Sequence, residues 1–299
     1  MPLEIFVPFW GDPRMLQETV RSVQLQTSTD WTLTVVDDAY PDPSVAAFFA
    51  GLDDPRIIYL RNETNVGITD NYRRCLELGT GELLVLLGCD DVLLPHYVEV
   101  VLDAHRAYPD AAVIQPGVQV IDERGRVVQT LADGVKQRLT MPRGSGRRLV
   151  GGEALAASLL RADWMYWPSL VFRREVLART PFRDGFPLIQ DLAVVVDIVA
   201  AGGTLLIEPQ VCFSYRRHTA SASSASLLDG ARFAGERAYF ALAAEQMSAL
   251  GWHRAARAAR HHLTSRAHAL TLVPAAFQAS GRAGATTMLR HAVARSPQG

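Results

Sequence analysis

Two adjacent aspartates, Asp90 and Asp91, follow the most apolar run of the sequence, Leu83–Leu87. Neighbouring carboxylates in such a place repel each other unless a cation or hydrogen-bond donors compensate their charge. Carboxylate oxygens are the ligands that Mg²⁺ and Mn²⁺ prefer, and such an ion bridges diphosphate oxygens. The pair therefore predicts a metal site. The alternative is that Asp91 caps a helix that starts near Pro95.

A second pair, Asp37 and Asp38, follows the apolar run Thr32–Val36. A carboxylate at the end of a strand can accept hydrogen bonds from the imide of a nucleobase or from a ribose hydroxyl. An aspartate in this place can equally cap a helix or close a turn. The sequence leaves the two interpretations open.

Among the eight histidines, His218 has the neighbours that suggest chemistry. It follows a predicted strand and stands beside Arg216 and Arg217. This setting favours contact with a phosphate or a metal over a place in the core. One of the two arginines is a candidate for neutralising a leaving diphosphate.

The segment Trp164–Trp167 is rich in aromatic side chains with polar edges. Such side chains suit the apolar faces of sugar rings or a lipid-like acceptor, so Asp163, Trp164 and Tyr166 are candidate acceptor contacts. The alternative is that this segment is a core-packing strand that leads into Ser169–Phe172. The sequence does not decide between the two interpretations.

The elements that position these residues follow from the pattern of the first half of the chain, where short apolar runs alternate with helical patterns. This alternation is typical of a parallel sheet with helices on both faces, which binds ligands at the carboxyl ends of its strands. Pro8, Phe9 and Trp10 end the first strand, so we expect them near both aspartate pairs. We predict strands at 3–8, 32–36, 56–60 and 83–87, and helices at 13–27, 43–52 and 67–79.

Residues 129–150 are polar and contain glycines, with neither a helical nor a strand period. We predict a mobile loop that closes over donor or acceptor, with Arg143, Arg147 and Arg148 as candidates for contacting an anionic acceptor or the diphosphate. Around this loop we predict helices at 152–161 and 191–201, and strands at 169–172, 204–207 and 210–216.

Beyond residue 221 the sequence is rich in Ala, Arg and Leu without a strand-like run, which predicts a C-terminal helical appendage. Residues 231–299 contain nine arginines against two glutamates. Arg254, Arg257 and either Arg260 or His261 share one helical face. Two alternatives remain for this face: a solvated basic helix that packs in a homo-oligomer, or peripheral attachment to anionic lipid.

Composition restricts the class of protein further. With 299 residues, 48% of them apolar, the chain can bury a large core, and its formal net charge of −1 argues against a nucleic-acid partner. The three cysteines lack a paired-ligand spacing, which predicts buried thiols in a reducing compartment. Neither a signal-peptide pattern nor an apolar run of membrane-spanning length occurs. We therefore expect a cytoplasmic location, with the inner membrane face as an alternative.

Several short motifs together resemble those of the inverting family 2 glycosyltransferases. The resemblance spans roughly residues 3–223, and the order and spacing of the motifs make it specific. The matching elements are Val36-Asp37-Asp38, Asn65-Val66-Gly67 through Asn71, Gly81-Glu82, Asp90-Asp91, Gln190-Asp191, and Tyr215-Arg216-Arg217-His218 with Ser221 and Ser223.

The resemblance implies an α/β fold of the GT-A type, in which helices flank a Rossmann-like, mostly parallel sheet. It predicts a catalytic domain at 1–220, with a nucleotide-sugar half at about 1–95 and an acceptor half at about 96–220, followed by helices at 221–299. The implied nucleotide contacts are Pro8, Phe9, Trp10, Asp38, Asn65, Gly67, Asn71 and Asp90. The implied ligands of Mg²⁺ or Mn²⁺ are Asp90, Asp91 and His218.

The same resemblance implies that Asp191 is the catalytic base and that Gln190 contacts the acceptor. Asp191 precedes the helical stretch 192–200, so the helix dipole would favour its charged form. The alternative is a mere N-cap. The implied reaction is an inverting transfer of a sugar from UDP or dTDP to a hydroxyl of a glycan, glycolipid or small molecule.

Two positions depart from the family pattern. Gly88 stands where many members carry the first aspartate of D-x-D-D, and Gln190 replaces a glutamate. These departures motivate an alternative, a binding scaffold that kept the fold without turnover, although the retained Asp90, Asp91, Asp191 and His218 favour an enzyme. A dinucleotide-dependent oxidoreductase is excluded because the first turn lacks a glycine-rich fingerprint.

Overall fold

The first four strands of the chain run parallel and form one half of the sheet. The computed structural model describes residues 2–128, 141–142, 144, 146–186, 188–217 and 231–293. The strands of this half span Leu3–Phe9 (β1), Trp31–Asp37 (β2), Ile57–Arg61 (β3) and Leu83–Leu86 (β4), in the spatial order β3-β2-β1-β4. Side chains of β1, β2 and β4 are almost all buried, as expected where helices cover both faces of a sheet. The four predicted strands are confirmed to within one residue at each end.

Three helices connect these strands and confirm the predicted ones: Pro13–Gln24 (α1), Ser44–Ala50 (α2) and Ile68–Leu78 (α3). The Asp12 side chain accepts a hydrogen bond from the backbone N–H of Arg14 at 2.8 Å, and Pro13 occupies the first helical position, which together start α1. Helix α1 ends at Gln24 rather than at residue 27. Gly67 precedes α3 with a φ of 84°, in the left-handed region that glycine adopts without strain.

The second half of the sheet mixes strand directions. Strand β8 lies antiparallel between β4 and β6, and β6 runs parallel to β9, which gives the full order β3-β2-β1-β4-β8-β6-β9-β5. Strands β5 and β7 pair antiparallel with β9. Six of the nine described strands therefore share one direction. The strands are Val92–Leu93 (β5), Val113–Ile121 (β6), Arg148–Gly151 (β7), Val171–Arg173 (β8) and Thr204–Arg216 (β9).

Three expectations for this half are corrected. The predicted strands at 204–207 and 210–216 are one strand, because a bulge at Gly117, whose Cβ would lie 2.7 Å from the backbone of Gln210, keeps both parts paired with β6. The loop expected over 129–150 is wrong at its C-terminal end, where residues 148–151 form β7; residues 129–140, 143 and 145 lie outside the described ones. A 3₁₀ turn at Trp167–Ser169 delays the strand expected at 169, so β8 begins at Val171.

Helices flank the sheet and fill the C-terminal region, as predicted. In the described chain Tyr97–Ala107 (α4), Gly152–Arg161 (α5), Arg174–Ala178 (α6) and Gln190–Ala200 (α7) precede Ala231–Ala249 (α8), His253–His261 (α9) and Leu263–Val293 (α10). Side chains of α8 and α9, such as Tyr239 and Ala256, share one hydrophobic cluster with those of α5 and α7. The mostly parallel sheet, its flanking helices and the C-terminal helical region are thus confirmed, whereas the domain boundaries near 95 and 220 stay predictions.

Candidate active site

Asp38, at the end of β2, holds the turn that precedes α3. Its side chain is 2% exposed and accepts hydrogen bonds from the backbone N–H groups of Val66 at 2.8 Å and Gly67 at 2.9 Å. The Asn62 side chain donates a third hydrogen bond at 2.8 Å. A carboxylate can accept about four hydrogen bonds, so most of this capacity is used inside the protein. The predicted contact of Asp38 with a nucleotide stays a prediction.

Asn71, on the first turn of α3, fixes the same region to the sheet. It is 1% exposed, and its side chain donates to the carbonyl of Val36 at 3.0 Å and accepts from Asn62 at 3.3 Å. The predicted nucleotide contacts Gly67 and Asn71 thus lie in one hydrogen-bonded unit with Asp38, and Asn65 is exposed in the adjoining turn.

Asp37 has the turn-closing role that the sequence left open for this pair. It is fully buried and accepts hydrogen bonds from the backbone N–H of Tyr40 at 2.7 Å, from the Arg61 guanidinium at 2.7 Å and from the Tyr59 hydroxyl. Burial, with the Asp37 contact as a further cause, raises the pKa of Tyr59 to about 12. The charge of Asp37 is therefore satisfied by the protein itself.

The turn after β1 exposes an aromatic ring. Trp10 is 52% exposed, and its ring meets the Tyr40 ring edge-on at a centroid distance of 5.3 Å. Pro8 and Phe9 are buried, and Phe9 packs on Tyr40 at 5.1 Å. Of the three predicted nucleotide contacts in this turn, Trp10 is thus the one whose side chain is open to a ligand.

The loop after β4 brings Asp90 and Asp91 next to the Trp10 turn. A Cβ on Gly11 would lie 3.1 Å from Cys89 Sγ, so the two loops touch. Burial raises the pKa of the Cys89 thiol, which keeps that side chain neutral between them. The sheet therefore places the aspartate pair and the exposed Trp10 side by side, as the topology predicted.

Asp91 keeps one carboxylate oxygen for which the described part of the chain offers no partner. Its side chain is 1% exposed, and Oδ1 accepts a hydrogen bond from the backbone N–H of Arg216 at 2.8 Å. Oδ2 is buried and has no hydrogen-bond partner among the residues that the structure describes. The helix-cap alternative for Asp91 is wrong, because α4 is preceded by His96 and has no side-chain cap.

The electrostatics of the pair fit a divalent cation. Burial raises the pKa of Asp91 well above its usual range, and the neighbouring charge of Asp90 raises it further. A bound cation would reverse this preference for the neutral form. Within the described part of the chain no three metal-ligating side chains come together. Two carboxylates fit Mg²⁺ or Mn²⁺ ions that take their remaining ligands from phosphate and water.

A polar stripe on α1 supports the aspartate loop, and the sequence analysis did not identify it. The Thr19 hydroxyl donates to the carbonyl of Asp91 at 2.7 Å, and the Ser22 hydroxyl accepts from the backbone N–H of Leu93 at 3.1 Å. Gln26, two residues beyond the end of α1, donates to the carbonyl of Leu94 at 2.8 Å. The sequence signal that could have revealed this support is a row of polar residues at helical spacing beside the apolar face of α1.

Asp191 lies in the first turn of α7, which begins one residue earlier than predicted. Ile189 occupies the cap position, so the N-cap alternative does not describe Asp191. Its half-buried side chain accepts a hydrogen bond from the backbone N–H of Leu192 at 2.8 Å. Gln190 is 4% exposed and accepts from the Thr69 hydroxyl at 3.0 Å, which joins the starts of α7 and α3.

Tyr215 belongs to the Tyr215–His218 motif, and the sequence analysis gave it no role of its own. Burial raises the pKa of its phenol, and the charges of Asp91, Asp90 and Asp191 raise it further. Its ring packs on Tyr166 at 5.2 Å.

The predicted acceptor segment is mostly buried. Trp164 is 1% exposed and donates from its indole N–H to the Ser158 hydroxyl at 3.1 Å, and Tyr166 is 5% exposed. Asp163 is half-buried and accepts from the backbone N–H of Met165 at 3.2 Å. The rings of Trp164 and Tyr166 are thus buried in the core, as the alternative interpretation of this segment predicted. Acceptor contact by Asp163, Trp164, Tyr166 and Gln190 stays a prediction.

The described arginines of the predicted loop are engaged with the protein. Arg147 pairs with Glu208 at 2.5 Å and with Asp103 at 2.7 Å, and Arg148 donates to the carbonyl of Pro142. Their predicted contact with an anionic ligand would have to replace these bonds. Arg143 and His218 lie outside the described residues.

Comparison with known proteins agrees with this geometry. The family model described as glycosyl transferase family 2 matches residues 4–163, more than half of the chain. The matched region contains both aspartate pairs and the Trp10 turn.

Individual relatives are distant. The uncharacterized protein y4gI of Sinorhizobium fredii is 30% identical over 126 residues, which cover 41% of this chain and 14% of that protein. The glucosyl-dolichyl phosphate glucuronosyltransferase of Haloferax volcanii is 30% identical over 99 residues, which cover 32% of this chain and 31% of that enzyme. The chain thus spans less than a third of either relative.

The crystal structure of S. aureus TarS 1-349 in complex with UDP-GlcNAc superposes with a TM-score of 0.69 at 14% identity, covering 98% of this chain and 82% of that one, and shows the same fold.

Proposed function

The chain belongs to glycosyl transferase family 2 and is a glycosyltransferase by that membership, and we propose that it transfers a sugar from a nucleoside diphosphate to an acceptor hydroxyl with inversion. The observation that carries the proposal is the buried Asp91 oxygen that no described residue satisfies, next to Asp90 and the exposed Trp10. A catalytically inactive scaffold has less need to keep such a group, because an unsatisfied buried carboxylate oxygen costs stability.

The donor in this proposal is a uridine or thymidine diphosphate sugar. Trp10 offers an exposed ring face for the nucleobase, and the turn at Asn65 and Gly67 borders the same edge of the sheet. Asp90 and Asp91 would hold Mg²⁺ or Mn²⁺, and the cation would offset the negative charge of the departing diphosphate. The fold neighbour TarS was crystallised with UDP-GlcNAc, which makes a UDP-sugar the first donor to try.

The proposed chemistry is one in-line displacement. Asp191 accepts the proton of the acceptor hydroxyl while that oxygen forms its bond to the anomeric carbon. The bond between this carbon and the diphosphate oxygen breaks on the opposite face, and the nucleoside diphosphate leaves with the electron pair. No covalent protein intermediate is required. The position of Asp191 in the first turn of α7 favours its charged form, because the helix dipole is positive there.

Two arms of one experiment separate an enzyme from an inactive scaffold. The protein is incubated with a panel of nucleotide sugars and Mn²⁺, with and without glycan, glycolipid and small-molecule acceptors. We expect release of a free nucleoside diphosphate with one donor class, and less release with EDTA or with Asp191→Asn. Donor binding without any release, with every acceptor, would support the scaffold instead.

Location and partners of the C-terminal helices also stay proposals. Among the residues that the structure describes, no helix has an apolar stretch that could cross a bilayer. Arg257 is exposed on α9, and Leu263, Leu270 and Phe277 are exposed at seven-residue spacing on α10. Such a surface suits either a second copy of the chain or an anionic membrane. Light scattering detects the first, and co-sedimentation with phosphatidylglycerol vesicles detects the second.

A further inference from the structure

An ion pair between Glu18 and Arg216 lies beside the aspartate loop. Arg216 is 2% exposed, and its Nη2 lies 2.6 Å from Oε2 of Glu18 on α1. Its Nε donates to the carbonyl of Asp90 at 2.6 Å, and its backbone N–H donates to Asp91 Oδ1 at 2.8 Å. One arginine therefore joins α1, the aspartate loop and the end of β9.

The remaining guanidinium nitrogen of Arg216 is engaged as well. Nη1 donates to the carbonyls of Glu123 at 3.2 Å and Asp122 at 3.4 Å, in the turn that follows β6. Each of the three guanidinium nitrogens thus has an acceptor within the protein. Arg216 was one of two candidates for neutralising a leaving diphosphate, and its contacts indicate a positioning residue instead.

Glu18 makes the formal charge around the proposed cation site more negative. Asp90, Asp91 and Arg216 alone carry a formal net charge of −1, because the buried guanidinium cancels one carboxylate. Glu18 forms an ion pair with Arg216 at 2.6 Å, and its own negative charge brings the formal net charge of the four groups to −2. Its side chain remains 52% exposed, which keeps the cost of burying this charge low.

Gly88 leaves no room for a third carboxylate beside Asp90 and Asp91 in their present positions. A Cβ at residue 88 would lie 2.4 Å from Asp91 Oδ2 and 3.1 Å from Asp90 Oδ1. An aspartate at this position would therefore require the Asp91 side chain to move from its present position. In this chain the nearby acidic charge comes from a different element, α1.

We propose that Glu18 acts as a positioning residue for the metal site, because it holds Arg216 and supplies the negative charge that position 88 lacks. This inference rests on the proposed role of Asp90 and Asp91 as cation ligands. Glu18 is not itself a ligand in it, since it acts through the guanidinium.

The test measures Mn²⁺ binding directly, by electron paramagnetic resonance of free Mn²⁺ at low ionic strength, without donor or turnover. Glu18→Gln keeps the shape of the side chain and removes its charge, and we expect Mn²⁺ to bind about three- to tenfold more weakly.

The matched control is Glu77→Gln, which removes the same charge from an exposed residue near the C-terminal end of α3. It should leave Mn²⁺ affinity within about twofold of wild type. Thermal unfolding of each variant checks the fold. Wild-type affinity in folded Glu18→Gln, an equal loss in both glutamate variants, or no Mn²⁺ binding by the wild type would overturn the inference. Metal-independent turnover with a nucleotide sugar would remove this inference and leave the proposed function standing.

Discussion

The pairs Asp37-Asp38 and Asp90-Asp91 follow two parallel strands that both pair with β1, yet the protein treats them differently. Asp37 and Asp38 accept hydrogen bonds from neighbouring turns and side chains through all four of their carboxylate oxygens. Asp91 instead keeps a buried oxygen without a described partner, and its pKa is raised.

The difference arises from what each pair faces. The first pair faces the turn at 62–67, whose backbone N–H groups and asparagine side chain point toward Asp38. At the second pair the backbone N–H of Arg216 donates to Asp91 Oδ1, whereas the Arg216 guanidinium donates to the carbonyl of Asp90 rather than to a carboxylate oxygen of Asp91. Identical dipeptides after the two strands that flank β1 thus have different surroundings: one organises a loop, and the other keeps a buried oxygen that no described residue satisfies, which is where we propose a cation.

The largest effect is expected for Asp191, a carboxylate outside both pairs. Asp191→Asn should lower kcat by on the order of 10²–10⁴-fold, because asparagine cannot take the proton of the acceptor hydroxyl. Stability should change little, since asparagine can still accept the hydrogen bond from Leu192. Transfer rates are measured at saturating donor, with Asp110→Asn, at an exposed aspartate in the turn before β6, as the matched control. A kcat near wild type would move the base elsewhere, and Asp163 or Asp184 would be examined next.

The next effect concerns the pair assigned to the cation. Asp91→Asn should weaken Mn²⁺-dependent binding of UDP by at least about tenfold, while the unfolding free energy stays unchanged or rises because a buried charge is removed. Asp90→Ala should have a similar or smaller effect on binding. Calorimetry with Mn²⁺ and with EDTA separates the metal-dependent part. Equal UDP affinity in wild type and both variants under both conditions would refute the assignment.

The reciprocal prediction concerns the pair that the protein satisfies. Asp38→Asn should lower the unfolding free energy by about 1–3 kcal/mol, because the new amide N–H₂ would face donors such as the Gly67 N–H. Mn²⁺ affinity should remain near that of wild type. Urea denaturation of Asp38→Asn and Asp91→Asn side by side measures the contrast. If both variants lose stability equally, the two pairs are not distinct.

The sequence predicted the elements that a local pattern determines. Apolar runs at 83–87 and elsewhere gave the four parallel strands, because a strand buried on both faces needs apolar residues throughout. The aspartates after them could be located at one edge from topology alone. Strand β6 escaped prediction, since Pro116 and Gly117 interrupt its pattern at a bulge that only the partner strand explains.

Roles that depend on partners distant in sequence could not be predicted. Nothing in the local sequence distinguishes Asp38 from Asp91, because their difference lies in contacts with Val66 and Arg216, 28 and 125 residues away. The Glu18 contact with Arg216 spans 198 residues. The burial of Trp164 likewise depends on packing in the core rather than on its own segment.

The smallest effect is expected at Gly88, beside the second aspartate pair. In Gly88→Ala the new Cβ would approach Asp91 Oδ2 to 2.4 Å, so the Asp91 carboxylate has to shift. The hydrogen bond that its Oδ1 accepts from the Arg216 N–H opposes this shift. A side-chain end can move more easily than backbone, so we expect a loss of only about 1 kcal/mol in stability. Mn²⁺ affinity should fall by roughly threefold, about 0.6 kcal/mol, because the donor oxygens no longer converge.

Gly125→Ala, at a turn with a φ of 76° where a Cβ meets no atom within 4 Å, is the control for a general cost of replacing glycine. It should lose stability without losing Mn²⁺ affinity. If Gly88→Ala behaves in the same way, the position of Asp91 Oδ2 does not determine metal binding, and the contrast between the two aspartate pairs would rest on charge alone.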